Sequence, residues 1–161
     1  MSAAEESDRF LLCRIGSRIG ALALKDVRET MRPLPIEPLP GMPPFVLGVA
    51  IVRGFPAPIV DAVRLLKPLG SPPPMIPSPS ARFVSLKLGE RTAVLAVDAV
   101  LDIRPLAAGI LADIPPLLRE TGAEQMAVIG ALDAHLLFVL EAARLVPEPV
   151  WSAIKASEAP A

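Results

Sequence analysis

One pattern occurs twice in this chain, and that repetition limits the fold more than any other feature of the sequence. With an offset of 73, the stretch Phe10 to Glu29 lies over Phe83 to Asp102 with six of twenty positions identical: Phe, Gly, Arg, Leu, Ala and Val. With an offset of 80, Asp61-Ala-Val-Arg-Leu-Leu66 lies over Glu141-Ala-Ala-Arg-Leu-Val146, so both halves end on the same acid-Ala-x-Arg-Leu signature. Self-similarity of this kind marks a repeated structural unit. In the first half, apolar runs at Phe10–Ile15 and Ile19–Leu24 flank the turn Gly16-Ser17-Arg18 and predict a hairpin. A short amphipathic piece, Lys25–Met31, follows and is halted by the proline-rich loop Arg32–Pro44. Then come the strand Phe45–Val52, the turn Arg53-Gly54, a short strand through Pro58–Val60 and a helical turn Asp61–Leu66. Each unit of about 65–70 residues suits a small β-barrel but is too small to be comfortable alone, which predicts two barrels sharing a core.

Proline supports the same reading. Twenty prolines in 161 residues rule out long uninterrupted helices, because each interior proline removes a hydrogen bond and costs about 3 kcal/mol. Six of them fall within residues 67–80, which read as an extended connector between halves 10–66 and 81–147. Residues 1–9 read as a flexible tail, and 148–161 as a second tail with one or two helical turns that place Val150, Trp151 and Ile154 on one face. Trp151 is expected to dock on a barrel and not to bind a ligand.

Charge and composition exclude several functions. The formal charge is −1 and no basic run exists, which argues against nucleic acid as a partner. The longest uncharged stretch, Pro38–Val52, is 15 residues with four prolines, short of the roughly 20 apolar residues that cross a bilayer, so no membrane insertion is expected. The acidic N-terminus has the wrong charge for a secretory or transit signal, and the cytoplasm is the expected compartment. Cys13 lies in an apolar run and reads as a small buried hydrophobe.

The chemistry available is thin: one His, one Cys, one Gln, no Tyr and no Asn. No pair of His or Cys has metal-ligand spacing, and no phosphate loop appears, so neither a metal nor a cofactor is expected. A hydrolase would have to assemble from Asp98, Asp102 and His135, and His135 sits in a strand-like run where a structural role is the natural one. The protein is not expected to be an enzyme.

The ordered motifs from Phe10 to about Pro147 resemble the CheW-like domain of bacterial chemotaxis coupling proteins. The family pattern of an apolar strand, a Gly-containing turn and a second strand leading to Val-x-Glu is met by Val27-Arg28-Glu29, and its Pro-rich loop by Leu39-Pro40 and Pro43. Its most specific block resembles Gly-Val-x-Asn-Leu-Arg-Gly-x-x-x-Pro-Val-Ile-Asp, where this chain reads Gly48-Val-Ala-Ile-Val-Arg53-Gly54-Phe-Pro-Ala-Pro58-Ile-Val-Asp61. The family's Val-Asp-x-Val is met by Val97-Asp98-Ala-Val100, and its closing pattern, a Gly-containing strand and a final apolar strand, by Ile129-Gly130 and His135–Leu140.

The resemblance implies an all-β fold of two five-stranded Src homology 3-like barrels on a shared core, with short helical turns, spanning residues 10–147. It implies a non-enzymatic adaptor that couples chemoreceptors to the histidine kinase CheA. The implied partners are the kinase's regulatory domain and the cytoplasmic receptor tip, in arrays under the inner membrane. The length points to a free-standing coupling protein. Residues carried over as protein-binding positions are Val27, Glu29, Gly48, Arg53 and Gly54. Arg53 is the leading one, since a guanidinium at a strand-to-turn junction offers several planar donors to partner acids. Each has a structural alternative: core packing for Val27, a solvated charge for Glu29, backbone geometry for Gly48 and Gly54, an internal salt bridge for Arg53. Asp61 and Asp98 are expected to cap local turns. Ile51, Val52 and Ala62 replace the family's Asn, Leu and Leu, which leaves room for a divergent scaffold in a non-flagellar chemosensory pathway. A small-molecule-sensing β-barrel is the reading from another class.

Overall fold

In the computed structural model the described residues are 9–16, 18–65, 79–105, 111–113, 126–132, 135–140 and 142–158. The tail 1–8, most of the connector (67–78) and residues 159–161 lie outside them. The elements in order are β1 (Arg9–Ile15), β2 (Arg18–Ala23), a 3-10 turn (Leu24–Asp26), β3 (Val27–Met31), β4 (Val46–Val52), β5 (Phe55–Asp61) and α1 (Ala62–Leu65). The second half supplies β6 (Arg82–Leu88), β7 (Arg91–Val97), β8 (Ala99–Pro105), β9 (Leu111–Asp113), β10 (Met126–Leu132), β11 (His135–Leu140), a 3-10 turn (Ala142–Arg144) and α2 (Glu148–Glu158).

The duplication is visible in the strand pairing. One sheet runs β8-β1-β2-β11-β10-β9 and the other β3-β6-β7-β5-β4. Exchanging the halves (β1 for β6, β2 for β7, β3 for β8, β4 for β10, β5 for β11) turns the first order into the second, with β9 left over. Its counterpart is the single antiparallel bridge between Glu37 and Val49, which sits where Ala112 pairs with Ile129. Even the irregularities repeat. The β3–β6 ladder skips Arg28 and the β1–β8 ladder skips Leu101, which is 73 residues on. The β4–β5 ladder skips Leu47 and the β10–β11 ladder skips Ala127, which is 80 residues on. Bulges bend a strand and are features of a specific fold.

Neither sheet belongs to one half. The hairpin β1–β2 joins second-half strands through the parallel pair β2–β11, and β6–β7 joins first-half strands through the parallel pair β5–β7. This accounts for the apolar runs. In β5 and β6, neighbouring residues point to opposite faces and both faces are covered: Ile59 and Phe83 pack in one core cluster, Val60 and Val84 in the other. A strand buried on both faces loses the polar alternation of a one-sided sheet. The larger cluster is the shared core, built from Leu11, Cys13 and Leu22 of one sheet with Val46, Leu86 and Leu95 of the other. Burial pushes the Cys13 thiol up to about 12, consistent with an inert apolar role.

Two elements differ from the sequence expectation. Lys25–Met31 is not one amphipathic piece but the end of a 3-10 turn followed by β3, whose half-buried Val27, Glu29 and Met31 alternate with exposed Arg28 and Thr30. The C-terminal helix has 11 residues, about three turns at 3.6 residues per turn. Val150 and Ile154 are buried in the shared core, and Trp151 packs half-buried against it with the Arg91 guanidinium 5.0 Å above its ring. Arg91 also pairs with Glu148 through two 3.0 Å hydrogen bonds.

Candidate functional site

The sequence-predicted residues fall on one sheet. Val27 and Glu29 are on β3, Gly48 is on β4, and Arg53-Gly54 form the β4–β5 turn. In a flat sheet of this order β3 and β4 would stand about 19 Å apart, at roughly 4.8 Å per strand spacing. Instead the sheet closes, and Arg53 Nη2 lies 2.7 Å from Glu29 Oε2 while Nε donates to Oε1 at 2.9 Å. A carboxylate gripped side-on by two guanidinium nitrogens is the fixed-geometry form of ion pair. It fastens the β3 end of the barrel to the hairpin at its other end. The hydrogen bond from Arg53 holds the Glu29 carboxyl below the usual carboxylate range, aided by the positive charges of Arg53 and Arg28; the same bond raises Arg53.

Both partners are held from below. Val52 pairs with Phe55, so Arg53-Gly54 is a two-residue hairpin turn, with φ of 50° and 86°. Positive φ at both central residues is the pattern of a type I′ turn. An arginine at positive φ is uncommon, and its side chain is 66% exposed even with Glu29 along one edge. On the other side, β3 bulges at Arg28, and the buried hydroxyl of Ser85 donates to the Glu29 carbonyl at 3.5 Å. Ser85 was missed in the sequence, although a lone serine inside Arg82-Phe-Val-Ser-Leu-Lys-Leu88 was its signal.

The remaining predicted positions divide. Val27 packs half-buried against the shared core. Gly48 has φ of 147°, and a Cβ there would collide with the Glu37 carbonyl, so this glycine lets the backbone at Glu37 approach β4. Around a Cβ on Gly54 there is open space. Asp61 caps α1, accepting from Val63 N at 3.0 Å and Arg64 N at 3.4 Å. Asp98 does not cap a neighbouring turn; its Oδ2 accepts from Gly16 N at 2.6 Å and ties the β1–β2 turn to the β7–β8 junction. Of the residues a hydrolase would have to assemble, Asp98 accepts from Gly16 N, Asp102 accepts from Ile103 N–H and Arg104 Nε, and the side chain of His135 lies outside the described residues. A cleft of about 350 Å³ opens between Lys87, Arg91, Glu148 and Trp151, but neither Glu29 nor Arg53 lines it.

The model of the CheW-like domain matches residues 9–150. The chain belongs to the CheW-like domain family. The CheW relative "Probable chemotaxis protein CheW" of Rhizobium etli is 31% identical over 148 residues, covering 89% of this chain and 90% of the relative. A solved CheW fold, that of the scaffolding protein TtCheW from Thermoanaerobacter tengcongensis, superposes with a TM-score of 0.72 at 22% identity, covering 88% of each chain. The two sheets described above are thus the two Src homology 3-like subdomains of a CheW fold, with one strand more in the first than expected. Among the described residues no helix is long and apolar enough to cross a membrane.

Proposed function

We propose that this protein is a chemotaxis adaptor that acts by binding, not catalysis, and that the Glu29–Arg53 seam is the centre of its docking surface. The reading joins chemoreceptor tips to the regulatory domain of a CheA-type histidine kinase, in the cytoplasm at receptor arrays. Its support is the family match together with one geometric observation: the guanidinium of Arg53 is held by Glu29 along one edge while most of the side chain faces solvent. Side-on binding through Nε and Nη2 leaves the Nη1 edge of the planar fork outside that contact, where an acid on a partner can meet it.

Magnitudes separate docking from structure. An exposed ion pair contributes little to folding, so removing Arg53 should leave the fold standing. A binding hot spot costs roughly 2 kcal/mol or more, about thirtyfold in affinity. Arg53→Ala is therefore expected to keep its melting temperature within a few degrees while losing at least thirtyfold in affinity for the receptor fragment or the kinase regulatory domain, measured by titration calorimetry. The charge swap of Glu29→Arg with Arg53→Glu tests the purely structural alternative. If the swap restores binding, the pair serves only to close the barrel and Arg53 makes no partner contact.

A further inference from the structure

Strand β8 ends its sheet with the outer side open: among the described residues it pairs with β1 alone. Its repeat-mate β3 is also an edge strand, but the Glu29–Arg53 pair fastens it to the β4–β5 turn. That fastening is not repeated. Asp102 stands 73 residues beyond Glu29 and Asp133 stands 80 residues beyond Arg53, and two carboxylates cannot form the ion pair. Residues 101–105 are exposed in an unbroken run, Leu101 at 48% and Ile103 at 47%, so both faces of this end of the strand are bare. Unpaired N–H and C=O groups along such an edge are a template for another strand.

The run Asp102-Ile103-Arg104 specifies which strand fits. In an antiparallel ladder alternate residues bond to opposite sides. Ile103 N–H donates to Asp102 Oδ1 at 2.8 Å, so it turns away from β1, and a side chain stands where a neighbouring strand would be. Arg104 Nε in turn donates to Asp102 Oδ2 at 3.1 Å, and both side chains are well exposed.

We infer that β8 is a self-association edge whose occupant is β8 of a second copy of this chain, antiparallel about a two-fold axis through Ile103. In that register Ile103 exchanges backbone hydrogen bonds with Ile103 of the second copy, and Asp102 of each copy lies opposite Arg104 of the other. The ion pair made within each strand is thereby exchanged for two made between strands. An axis centred on Asp102 or on Arg104 would set like charges opposite each other, so charge selects both the occupant and the register. The bulge at Leu101 and Pro105, which has no N–H, confine the pairing to the residues between them. Burial of Ile103 and Leu101 supplies the apolar part of the contact. A two-fold contact uses the same patch on both copies and closes at two. It lies on the other sheet from the Glu29–Arg53 seam and does not depend on the adaptor reading.

The test is sedimentation equilibrium of the full chain from about 10 µM to about 1 mM, a range suited to a contact smaller than a standard interface. Wild type is expected to pass from monomer to dimer across that range and no further. Asp102→Arg and Arg104→Asp each set like charges opposite one another at two symmetric positions. Each should weaken the dimer about tenfold or more, with a melting temperature near that of wild type because both positions are exposed. Mixed in equal amounts, the two variants are complementary and should form a heterodimer; the double reversal Asp102→Arg with Arg104→Asp should dimerise by itself. A wild type that stays monomeric across the range overturns the inference, as does a dimer undisturbed by either single substitution. Loss in both single variants with no recovery on mixing or in the double reversal overturns the register. If wild type stays monomeric and the single variants lose binding to the kinase regulatory domain, the edge belongs to that partner and not to a second copy.

Discussion

Gly48 and Gly54 are both at positive φ in the same hairpin, yet their surroundings make them unequal. At Gly54 the cost of a side chain is backbone strain alone, because nothing lies within 4 Å of a Cβ built there. Strain of that kind costs about 1–2 kcal/mol. At Gly48 the strain is joined by a collision with the backbone of Glu37, which cannot swing aside as a flexible side chain could. Gly48→Ala should therefore lower stability by about 3 kcal/mol or more and Gly54→Ala by about 1 kcal/mol, read as separate melting curves. Equal losses would show that the backbone at Glu37 yields. At this scale the motifs singled out residues without showing what they touch. Glu29 and Arg53 both stood out in their motifs, but that they touch was hidden, because 24 residues and a proline-rich loop separate them and only barrel closure brings them together. The unlike roles of the two glycines were equally hidden, since they depend on what lies above each backbone.

Elements were legible where local chemistry decides them and obscure where a neighbour does. The hairpins β1–β2 and β6–β7 were evident from apolar runs broken by Gly-containing turns. Strand β3 was not, because Val27–Met31 becomes a strand by pairing with β6, over fifty residues away in sequence. The α1 turn was foreshadowed by Asp61, and its capping carries a pH signature. Asp61 is raised above its ordinary 3.8, first by burial, with the backbone hydrogen bonds and Arg64 opposing. Arg64 Nε lies 3.5 Å from Asp61 Oδ2 but has no hydrogen-bond acceptor among the described residues, while its Nη1 donates to the Pro44 carbonyl at 3.2 Å. A carboxyl whose folded pKa exceeds its unfolded value binds its proton more tightly when folded, so its contribution to stability falls as pH rises from about 3.8 through the folded value. Asn keeps a cap acceptor without the charge. Across that window the stability of wild type should decline relative to Asp61→Asn, measured by urea unfolding at several pH values. A gap that moves the other way would mean the Arg64 attraction outweighs burial. Glu29 has the opposite sign: its pKa is lowered, so its contribution is present above the ordinary glutamate value and fades as pH falls through the folded one.

For the molecule as a whole, the repeat in the sequence implied two barrels and a shared core, and it gave no hint that the halves are interleaved. Each half contributes a hairpin to the other's sheet, so of the nine strand pairings among the described residues four (β1–β8, β2–β11, β3–β6 and β5–β7) cross between halves. Cut within the connector, residues 1–78 would retain, among the described residues, the β1–β2 and β4–β5 hairpins and the Glu37–Val49 bridge. An isolated hairpin is marginal in water, because too little apolar surface is buried to offset the ordering of the chain. The larger core cluster also loses its other wall, since Val84, Leu86, Leu95, Leu145 and Val150 come from the second half. Fragments 1–78 and 79–161 are therefore expected to be unfolded separately, with little amide dispersion in NMR, and to recover the spectrum of the full chain when mixed. The proposed docking surface follows the same rule. Glu29 and Arg53 both lie in the first half, but β3 is held in place by β6, and Ser85 on β6 supports the Glu29 carbonyl. Mixing should restore receptor binding together with the fold. A first half that folds as a monomer and binds alone would mean that the strand exchange is dispensable and that each repeat can close on itself.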